Sequence, residues 1–402
     1  MNMTQVIAVI GAQWGDEGKG KIVDFLSKNA DYCIRFQGGS NAGHTIIFEG
    51  NTYKLRLMPS GVLRGATGIL GAGMAINLDV LKNEFDMLAE MLGYEEASKR
   101  IMIDHRAHLI LPVHIQVDTK REVKSNNRIG TTRNGIGVCY EDKARRIGLR
   151  VGDLLDPSTW KDKCDLVGES HWKEAECFKE SISQETYDKL EQWRSDWIPY
   201  IYTNLSERLY DAMNGVAEKV IIEGAQGTFL DISHGTYPYA TSSTTIASGI
   251  GAGIGCALPK DTEIIGVVKA YCTRVGAGPF SLEDTGELGE RLRTQGAEFG
   301  VVTGRARRCG WNSLPMLKEA HILNGFTSLA ITKVDILDGF SEVKIGLKEG
   351  FEVFDGWNNS AGVQDYSFLH ANLKAYLHYI NENVAPVSIV STGADREDTI
   401  FV

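Results

Sequence analysis

The chain has 402 residues, 43% of them hydrophobic and 23% charged, and a formal net charge of −10 at pH 7. These values are those of an ordinary globular protein with a large core, and the negative charge argues against a non-specific binder of nucleic acid or of an anionic membrane surface. The N-terminus lacks the regions of a signal peptide, no stretch approaches the ~20 apolar residues of a membrane helix, and the seven cysteines form no CxxC pair, so we expect a cytoplasmic protein with neither nucleic acid nor a membrane among its partners.

Five short β-branched runs along the chain end abruptly in small or charged residues. They are VIAVI at 6–10, VII at 220–222, IIGVV at 264–268, LAI at 329–331 and VSIV at 387–390. Continuous apolar runs are typical of strands buried on both faces, and here they alternate with helical patterns. The sequence therefore predicts an α/β fold with a large, mainly parallel central sheet, flanking helices and helical inserts. Since ligands of such sheets bind at the carboxyl ends of the strands, we expect the loops after these runs to form the site.

No linker-like or repetitive segment divides the chain, so we predict a single domain over residues 1–402. The region from roughly 155 to 220 is rich in Trp, Lys and Glu and is interpreted as a helical insert. Within it, four apolar residues recur at the helical spacings of three and four: Leu190, Trp193, Trp197 and Ile201.

The first run leads into GAQWGDEGKGK at 11–21, which is similar to a phosphate-binding P-loop. Successive glycine N–H groups can form an anion-binding nest, and Lys19 and Lys21 supply charge that can reach phosphate oxygens. Ile22 stands where a P-loop has the Ser or Thr that contacts Mg²⁺. The carboxylates of Asp16 and Glu17 suit a cation or a proton-transfer step at the same place. A glycine turn with solvated charges is the alternative.

A second glycine-rich loop, RFQGGSNAGHT at 35–45, places His44 among small residues. Its glycines let the backbone approach a ligand closely, and a histidine that titrates near neutrality can donate to a phosphate oxygen. A structural or surface histidine is the alternative.

TKVD at 332–335 resembles the [NT]KxD element with which GTP-binding proteins recognise guanine. Guanine presents its N1–H and N2–H₂ donors side by side, so that one carboxylate, here Asp335, can accept from both. Lys333 can pack its methylene groups along the base. A surface turn is the alternative.

GVVTGRARRCGW at 300–311 holds three arginines in four positions. Guanidinium groups bind carboxylates and phosphates bidentately, so this segment is a candidate site for either, and a solvated basic turn is the alternative. Elsewhere, one group of residues lacks the spacing of zinc motifs, so we predict no metal cluster there: Asp104, His105, His108 and His114. No pattern for a covalent nucleophile is present, so we do not predict covalent catalysis.

Together the motifs are similar to those of the adenylosuccinate synthetases, the GTP-dependent ligases of purine synthesis. The resemblance runs nearly from end to end and rests on QWGDEGKGK, FQGGSNAGHT, IGTTRNGIG, YEDKARRIGLRVGDL, EGAQGTFLDISHGTYPYATSS, KAYCTRVGAGPF, VTGRARRCGW, ITKVDILDG and STGADRE. It implies the coupling of IMP to L-aspartate, with GTP cleaved to GDP and phosphate, as the first committed step of AMP synthesis. It also implies Mg²⁺ as cofactor, GTP as co-substrate and a homodimer as the working unit.

The resemblance further implies a mechanism in which Asp16 removes the N1 proton of IMP and also binds Mg²⁺. The charge left on O6 then attacks the γ-phosphate of GTP, and the aspartate amine displaces the resulting 6-phosphoryl group. His44 corresponds to a residue that hydrogen-bonds the γ-phosphate and acts as an acid, and the carbonyl of Gly43 corresponds to a second metal contact. Lys19 and Gln226 complete the implied catalytic set.

The binding residues implied by the resemblance form three groups. Those for GTP are Gly15, Asp16, Glu17, Gly18, Lys19, Gly20, Lys21, Gly43, His44, Thr45, Arg307, Lys333, Val334, Asp335, Ser391, Thr392 and Gly393. Those for IMP are Asp16, Asn41, Ala42, Gly43, His44, Thr132, Gln226, Thr241, Arg305 and Arg146, the last reaching the IMP phosphate of the neighbouring subunit in trans. Those for L-aspartate are Val302, Thr303, Gly304, Arg305 and Arg307.

Three features depart from the family pattern. Ser40 stands where a histidine is common, TTRNGIG replaces TTGRGIG at 131–137, and the sequence stops soon after STGADREDTI. None of them removes a catalytic group. Two other classes of function stay open from the sequence: a GTP-binding switch that transfers no phosphate to a metabolite, and a catalytically silent binding or scaffold protein, which we would expect to have lost Asp16 or His44.

Overall fold

The computed structural model describes residues 3–48, 50–124, 129–171, 174, 184–300 and 304–402. At its centre lies a ten-stranded sheet. Its strands, labelled in chain order, are β1 Gln5–Gly11, β2 Tyr32–Arg35, β3 Thr67–Leu70, β4 Ile101–Asp104, β5 Ile201–Tyr202, β6 Lys219–Glu223, β7 Glu263–Lys269, β8 Ser328–Thr332, β9 Val387–Ser391 and β10 Thr399–Phe401.

The strand order is β5-β4-β3-β2-β6-β1-β7-β8-β9-β10. Every neighbouring pair is parallel except β9 and β10. The α/β fold with a mainly parallel sheet is therefore confirmed. The five strands that the sequence predicts are β6, β1, β7, β8 and β9, which lie side by side in the middle of the sheet.

The central strands read as continuous apolar runs because both of their faces are covered. In β1, Val6, Ala8 and Ile10 pack into the core on one face. Ile7 and Val9 pack on the other face, together with residues of the first helix. The strands that the sequence analysis missed, β2 to β5 and β10, have four residues or fewer, too short to give a recognisable run.

Helices flank this sheet, as predicted. The α-helices of the described residues are α1 Lys19–Leu26, α2 Leu78–Leu92, α3 Tyr94–Ser98, α4 Pro112–Lys124, α5 Ile136–Arg145, α6 Trp160–His171, α7 Gln184–Trp197, α8 Leu205–Asp211, α9 Ile250–Ile254, α10 Glu287–Gln295, α11 Leu314–Asn324 and α12 Ala371–Asn383. Asn77 caps α2 by accepting hydrogen bonds from the N–H groups of Asp79 and Val80. None of these helices is both long and apolar enough to cross a membrane.

The helical pattern read in the region 155–220 extends too far. Leu190, Trp193 and Trp197 lie on α7 and are buried in one core cluster, but Ile201 begins β5 and pairs with Ile103 of β4. The helix ends at Trp197 because Pro199 disfavours helical geometry in the residue before it, and a 3₁₀ turn, Ile198–Tyr200, leads into the strand.

Several small elements surround the sheet, and two of them carry candidate site residues. His44–Phe48 and Asn51–Leu55 form an antiparallel hairpin, and Cys272–Arg274 pairs with Arg308–Gly310. The remaining strands form two three-stranded sheets, Gly38–Gly39 with Met74–Ile76 and His108–Leu109, and Asn312–Ser313 with Glu342–Gly346 and Phe351–Asp355.

Candidate active site

The loops that follow the central strands meet at one edge of the sheet. Because β6, β1, β7, β8 and β9 are adjacent and parallel, their carboxyl ends point in the same direction. The loop after β2, which leads to His44, joins them because β2 is the neighbour of β6. The structure thus brings together the four candidate loops at a place where α/β sheets bind ligands.

The loop between β1 and α1 has the backbone of an anion-binding turn. Gly15, Asp16 and Gly18 all have positive φ values, of 83°, 60° and 90°. Gly18 precedes α1 and makes no side-chain cap, so the first N–H groups of the helix keep their capacity to bind a ligand. Asp16 holds a backbone conformation that is uncommon for residues other than glycine, which is typical of functional loops.

Glu17 has a different role from its neighbour Asp16. Its side chain is fully buried, and its Oε1 accepts hydrogen bonds from the backbone N–H groups of Gln13 at 3.1 Å and Gly15 at 2.8 Å. Its Oε2 lies 2.5 Å from Nζ of Lys19. The expectation that both carboxylates serve a cation or a proton transfer is therefore corrected, because Glu17 holds the loop in shape while Asp16 is 32% exposed.

Lys21 also differs from the expectation that its ammonium reaches a phosphate. Its Nζ donates to Ser391 Oγ at 2.8 Å, to Gly393 O at 2.7 Å and to Asp398 O at 2.8 Å. An ammonium has three hydrogens, and all three are used here. Burial lowers the pKa of Lys21 to about 8 although nearby aspartates oppose the shift. This lysine fastens the turn after β9 to α1, which is a structural connection between two candidate GTP loops.

Asp16 is in contact with an arginine of the 300–311 segment. Arg307 Nε lies 2.8 Å from Asp16 Oδ2. The distance is that of an ion pair, but Arg307 Nε has no aligned hydrogen-bond partner among the described residues, so the contact is one of charge. On its other edge, Arg307 Nη1 donates to Glu298 Oε2 at 2.5 Å. Burial favours a lower pKa for Arg307, but the charges of Asp16 and Glu298 outweigh it and raise that pKa.

His44 has a buried carboxylate partner that the sequence analysis did not foresee. Its Nδ1 faces a carboxylate oxygen of Glu223, the last residue of β6, and lies 3.3 Å from Ser60 Oγ. Glu223 also accepts from the Ser60 N–H at 2.7 Å. Burial favours a higher pKa for Glu223, yet the positive partners, His44 first, lower it. The only sequence signal for Glu223 is a charged residue at the end of the buried run VIIE.

The Glu223 pair fixes which nitrogen of His44 can meet a ligand. A nitrogen that faces a carboxylate carries a hydrogen, so Nδ1 is committed and Nε2 is the nitrogen left for other contacts. Gly20 of α1 permits this arrangement, since a Cβ at that position would lie 2.7 Å from the Cβ of His44. His44 is itself buried, as expected for a histidine held in one orientation.

The side-chain amide of Gln226 is buried and available to a ligand. Its φ is 56°, and both polar atoms of its amide are buried without a hydrogen-bond partner in the described part of the chain. Buried polar atoms are nearly always paired, so an orphaned amide beside a loop of this kind points to a ligand. Nearby, Asn41 Nδ2 donates to Thr241 Oγ1 at 3.3 Å, and Ala42 is buried next to them.

The TKVD segment follows β8 directly. Lys333 has a φ of 63° and donates from Nζ to Gly296 O at 2.9 Å, while Val334 is buried in the core. Asp335 Oδ1 is buried and has no hydrogen-bond partner among the described residues, and burial raises the pKa of this carboxyl. Thr332 Oγ1 donates to Glu17 O at 2.5 Å, which joins this segment to the loop after β1.

The three arginines of the 300–311 segment have three different environments. Arg307 faces Asp16, whereas Arg305 Nη1 donates to Gly130 O at 3.2 Å, in the loop that contains the half-buried Thr132. Arg308 pairs with Glu283 Oε2 at 2.5 Å and belongs to the scaffold. Gly304 is exposed with a φ of 65°, and the candidates Val302 and Thr303 lie outside the described residues.

Arg146 stands apart from these loops within the chain. It follows α5 in a left-handed conformation, with a φ of 65°, and its side chain is exposed. It makes no hydrogen bond or ion pair with the described residues of the loops that follow the central strands, which we call the strand-end loops. Arg146 is therefore an exposed guanidinium without a partner in the described part of those loops.

The residues predicted as metal contacts have the right chemistry for Mg²⁺. Asp16 offers a partly exposed carboxylate held only by a charge contact, and Gly43 offers a backbone carbonyl in the loop before His44. Mg²⁺ prefers such hard oxygen ligands, and it takes only one or two from the protein when it also binds phosphates.

The histidines in the region 104–114 do not gather as one cluster. Asp104 Oδ2 pairs with Arg106 at 2.6 Å, and burial lowers the pKa of His108 to about 3. His114 instead meets Asp142 and His171 in a buried group. Its Nδ1 accepts from the Leu111 N–H at 3.0 Å, so its Nε2 carries the hydrogen and donates to Asp142 rather than binding a metal.

Comparisons with known proteins identify the family of this chain. The family model for adenylosuccinate synthetase matches residues 8–349. The adenylosuccinate synthetase of Helicobacter acinonychis is 44% identical over 98% of this chain and 99% of its own, and that of Desulforapulum autotrophicum is 43% identical over 98% of both. The solved structure of the fully ligated adenylosuccinate synthetase from Plasmodium falciparum superposes with a TM-score of 0.92 at 33% identity, covering 99% of this chain and 100% of that one. The chain belongs to the adenylosuccinate synthetase family.

Proposed function

We propose that the strand-end loops carry out the reaction of the family. That reaction follows from family membership: the enzyme ligates IMP and L-aspartate to adenylosuccinate through 6-phosphoryl-IMP, releasing GDP and phosphate, in AMP synthesis. A GTP-binding switch without ligase activity is not favoured, because the match to ligases extends over 98% of the chain.

GTP lies along the loop between β1 and α1, with its base at the TKVD segment. The N–H groups of the positive-φ loop and the N-terminus of α1 face the phosphates, with Lys19 behind them. Asp335 accepts from the N1–H and N2–H₂ groups of guanine, which would satisfy its buried, unpaired Oδ1. The other GTP contacts come from Thr45 and from the turn of Ser391, Thr392 and Gly393, which Lys21 holds in place.

Asp16 is the base that starts the reaction. Its carboxylate takes the N1 proton of IMP, and the electron pair shifts to O6, which forms a bond to the γ-phosphorus as the bond to GDP breaks. The observation that supports this role is the partly exposed carboxylate of Asp16, placed at the N-terminus of α1 with only a charge contact to Arg307. Bound Mg²⁺, held by Asp16 and Gly43 O, would neutralise charge on the β- and γ-phosphates.

His44 donates to the γ-phosphate from Nε2. The Glu223 carboxylate on Nδ1 keeps the ring in one orientation, so that the Nε2 donor can stabilise charge as it develops on the phosphoryl group. In the second step the amine of L-aspartate attacks C6, and the C6–O bond breaks to release phosphate. The hydrogen bond from His44 Nε2 stabilises the leaving phosphate.

The remaining contacts position the two other substrates. IMP binds to the unpaired amide of Gln226 and to the Asn41–Thr241 pair, with Ala42, Thr132 and Arg305 beside it. The carboxylates of L-aspartate bind to the loop Val302–Gly304 and to Arg305 and Arg307, whose guanidinium groups suit bidentate contacts.

The direct test is the ultraviolet absorbance change of the purine on mixing the protein with Mg²⁺, IMP, GTP and L-aspartate. We expect the change only with all components present, and omission of any one should abolish it. GTP hydrolysis at the same rate without IMP would contradict the proposed ligase roles and favour the switch.

We propose a homodimer in which each chain lends Arg146 to the IMP phosphate of its neighbour. Arg146 is exposed and separate from the loops of its own chain, as a residue acting in trans would be. If subunits of the inactive variants Asp16→Asn and Arg146→Leu are exchanged, half of the dimers are mixed and each has one intact site. About a quarter of wild-type activity should then return. No recovery despite proven exchange would contradict the shared site.

Two further expectations stay predictions. A single domain over residues 1–402 is supported by one sheet that takes strands from Gln5 to Phe401. A cytoplasmic location is expected from the nucleotide substrates and is tested by fractionation.

A further inference from the structure

Next to the 300–311 segment lies a buried carboxylate, Glu298, which has no role in the proposed reaction. Its Oε1 accepts from Lys269 Nζ at 2.9 Å and from the Tyr271 hydroxyl, and its Oε2 accepts from Arg307 Nη1 at 2.5 Å. Lys269 is the last residue of β7 and also donates to Thr273 Oγ1 at 2.7 Å. Glu298 is therefore tied to the carboxyl end of β7 by the side chains of Lys269 and Tyr271.

Glu298 also contacts the 300–311 segment through its backbone. Its carbonyl accepts from the Arg307 N–H at 2.9 Å, and further along the loop Gly300 N donates to Arg305 O at 2.8 Å. Glu298 and Arg307 thus face each other at the start and the end of a hairpin-like loop. They are joined both by a backbone hydrogen bond and by an ion pair.

The neighbouring charges keep Glu298 ionised, so that Arg307 faces a carboxylate. Burial favours a higher pKa for this carboxyl, but Lys269, Arg307, Lys333 and the Tyr271 hydroxyl outweigh it and lower the pKa to about 2. One edge of the Arg307 guanidinium therefore always has a counter-charge. Its Nε has no aligned hydrogen bond among the described residues and lies 2.8 Å from Asp16.

We propose that Glu298 is a positioning residue which, with Lys269 and Tyr271, orients the Arg307 guanidinium toward Asp16 and the L-aspartate site before substrates bind. The inference rests on the proposed function, in which Arg307 binds L-aspartate. A fixed guanidinium binds a carboxylate with less loss of conformational freedom than a mobile one. Glu298 itself touches no substrate.

The first test is the variant Glu298→Gln. The amide keeps the shape but places N–H₂ against Arg307 or Lys269, so that one donor faces another. We expect KM for L-aspartate to rise about tenfold, while KM for IMP stays within about twofold of wild type. Glu298→Asp keeps the charge, so it should recover part of the loss. Equal changes in the KM values of L-aspartate and IMP would overturn the proposal.

A milder variant covers the case in which Glu298→Gln does not fold. Tyr271→Phe removes one donor to Glu298 and should raise KM for L-aspartate roughly threefold. The matched control is Tyr187→Phe, which removes the hydrogen bond of a tyrosine to Asp165, between α7 and α6. The control should change stability and leave KM for L-aspartate as it is. If Glu298→Gln and Tyr271→Phe both leave KM for L-aspartate unchanged, the proposal fails.

A double-mutant cycle separates action through Arg307 from a general effect on the fold. In an Arg307→Leu background, the change from Glu298 to Gln should no longer alter L-aspartate affinity, because its target is absent. Additive effects would overturn the proposal. Calorimetric titration of L-aspartate into protein with IMP and a non-hydrolysable GTP analogue measures the same affinities without turnover. Loss of the proposed ligase function and loss of positioning are thereby distinguished.

Discussion

Two acid clusters in this protein, one buried and one partly exposed, are built in opposite ways. In the helical layer, Asp142 is fully buried and accepts from His114 Nε2 at 3.1 Å and from His171 Nε2 at 2.9 Å, which joins α5 to α4 and α6. At the strand ends, Asp16 has only a charge contact with Arg307, and polar atoms of Gln226 have no described partner.

The two clusters differ in whether their polar atoms already have partners among the described residues. The atoms between Asp142 and its histidines satisfy one another, and such a closed network stabilises a fold without leaving a place for a ligand. The strand-end loops contain buried polar atoms whose partners are missing, and these atoms gain hydrogen bonds when a ligand binds. Four predictions test this contrast, from the largest expected effect to the smallest.

Asp16→Asn should reduce kcat by at least about a hundredfold, because the amide cannot accept the N1 proton of IMP and binds Mg²⁺ poorly. Its midpoint of thermal unfolding should stay close to wild type, since it lacks a closed network. The matched control is Glu17→Gln, which should lower that midpoint because buried Lys19 loses its counter-charge. A loss in kcat of less than about tenfold, under ~1.4 kcal/mol of barrier, would exclude Asp16 as the base.

Asp142→Asn should show the reverse pattern. Its amide nitrogen would face a histidine N–H, and we expect the free energy of unfolding to fall by about 3 kcal/mol. The measurement is urea denaturation followed by fluorescence. Once folded, the variant should keep kcat within about tenfold of wild type. A variant that is as stable as wild type but inactive would break the contrast between the two clusters.

Asp335→Asn should change the choice of nucleotide rather than the fold. The carboxylate is a double acceptor for guanine, whereas the amide has one acceptor and two donors, so GTP should bind worse and xanthosine triphosphate better. We expect the ratio of their kcat/KM values to shift by at least about tenfold. If the preference does not move, the TKVD segment is only a turn.

His114→Gln should flatten the pH dependence of stability. Burial lowers the pKa of His114 below its usual 6.5, so below that pH the unfolded chain binds a proton that the folded chain refuses. The free energy of unfolding then falls as the pH drops below 6.5, by at most about 1.4 kcal/mol for each pH unit, and Gln removes this contribution. The exposed His378 on α12 provides the control substitution. Equal slopes for wild type and His114→Gln between pH 6 and 5 would contradict this.

Sequence reasoning reached most of the centre of the fold and less of its edges. It found β1, β6, β7, β8 and β9 because strands buried on both faces need continuous apolar runs. It missed β5, which has two residues, and placed Ile201 on a helix. It named Asp16 and His44 from their loops, but it did not single out Glu223, at the end of β6, or Glu298, after α10, because a lone acid has no distinctive spacing.

The sequence by itself determined the fold class, the family and the candidate loops, since each of these depends on residues that are neighbours along the chain. Only the tertiary structure decided which charges face a ligand and which hold the scaffold. Lys21 is committed to Ser391, 370 positions away, and Glu223 to His44 on another loop. The role of a charged side chain depends on the partner that folding brings to it, and that partner is not encoded in local spacing.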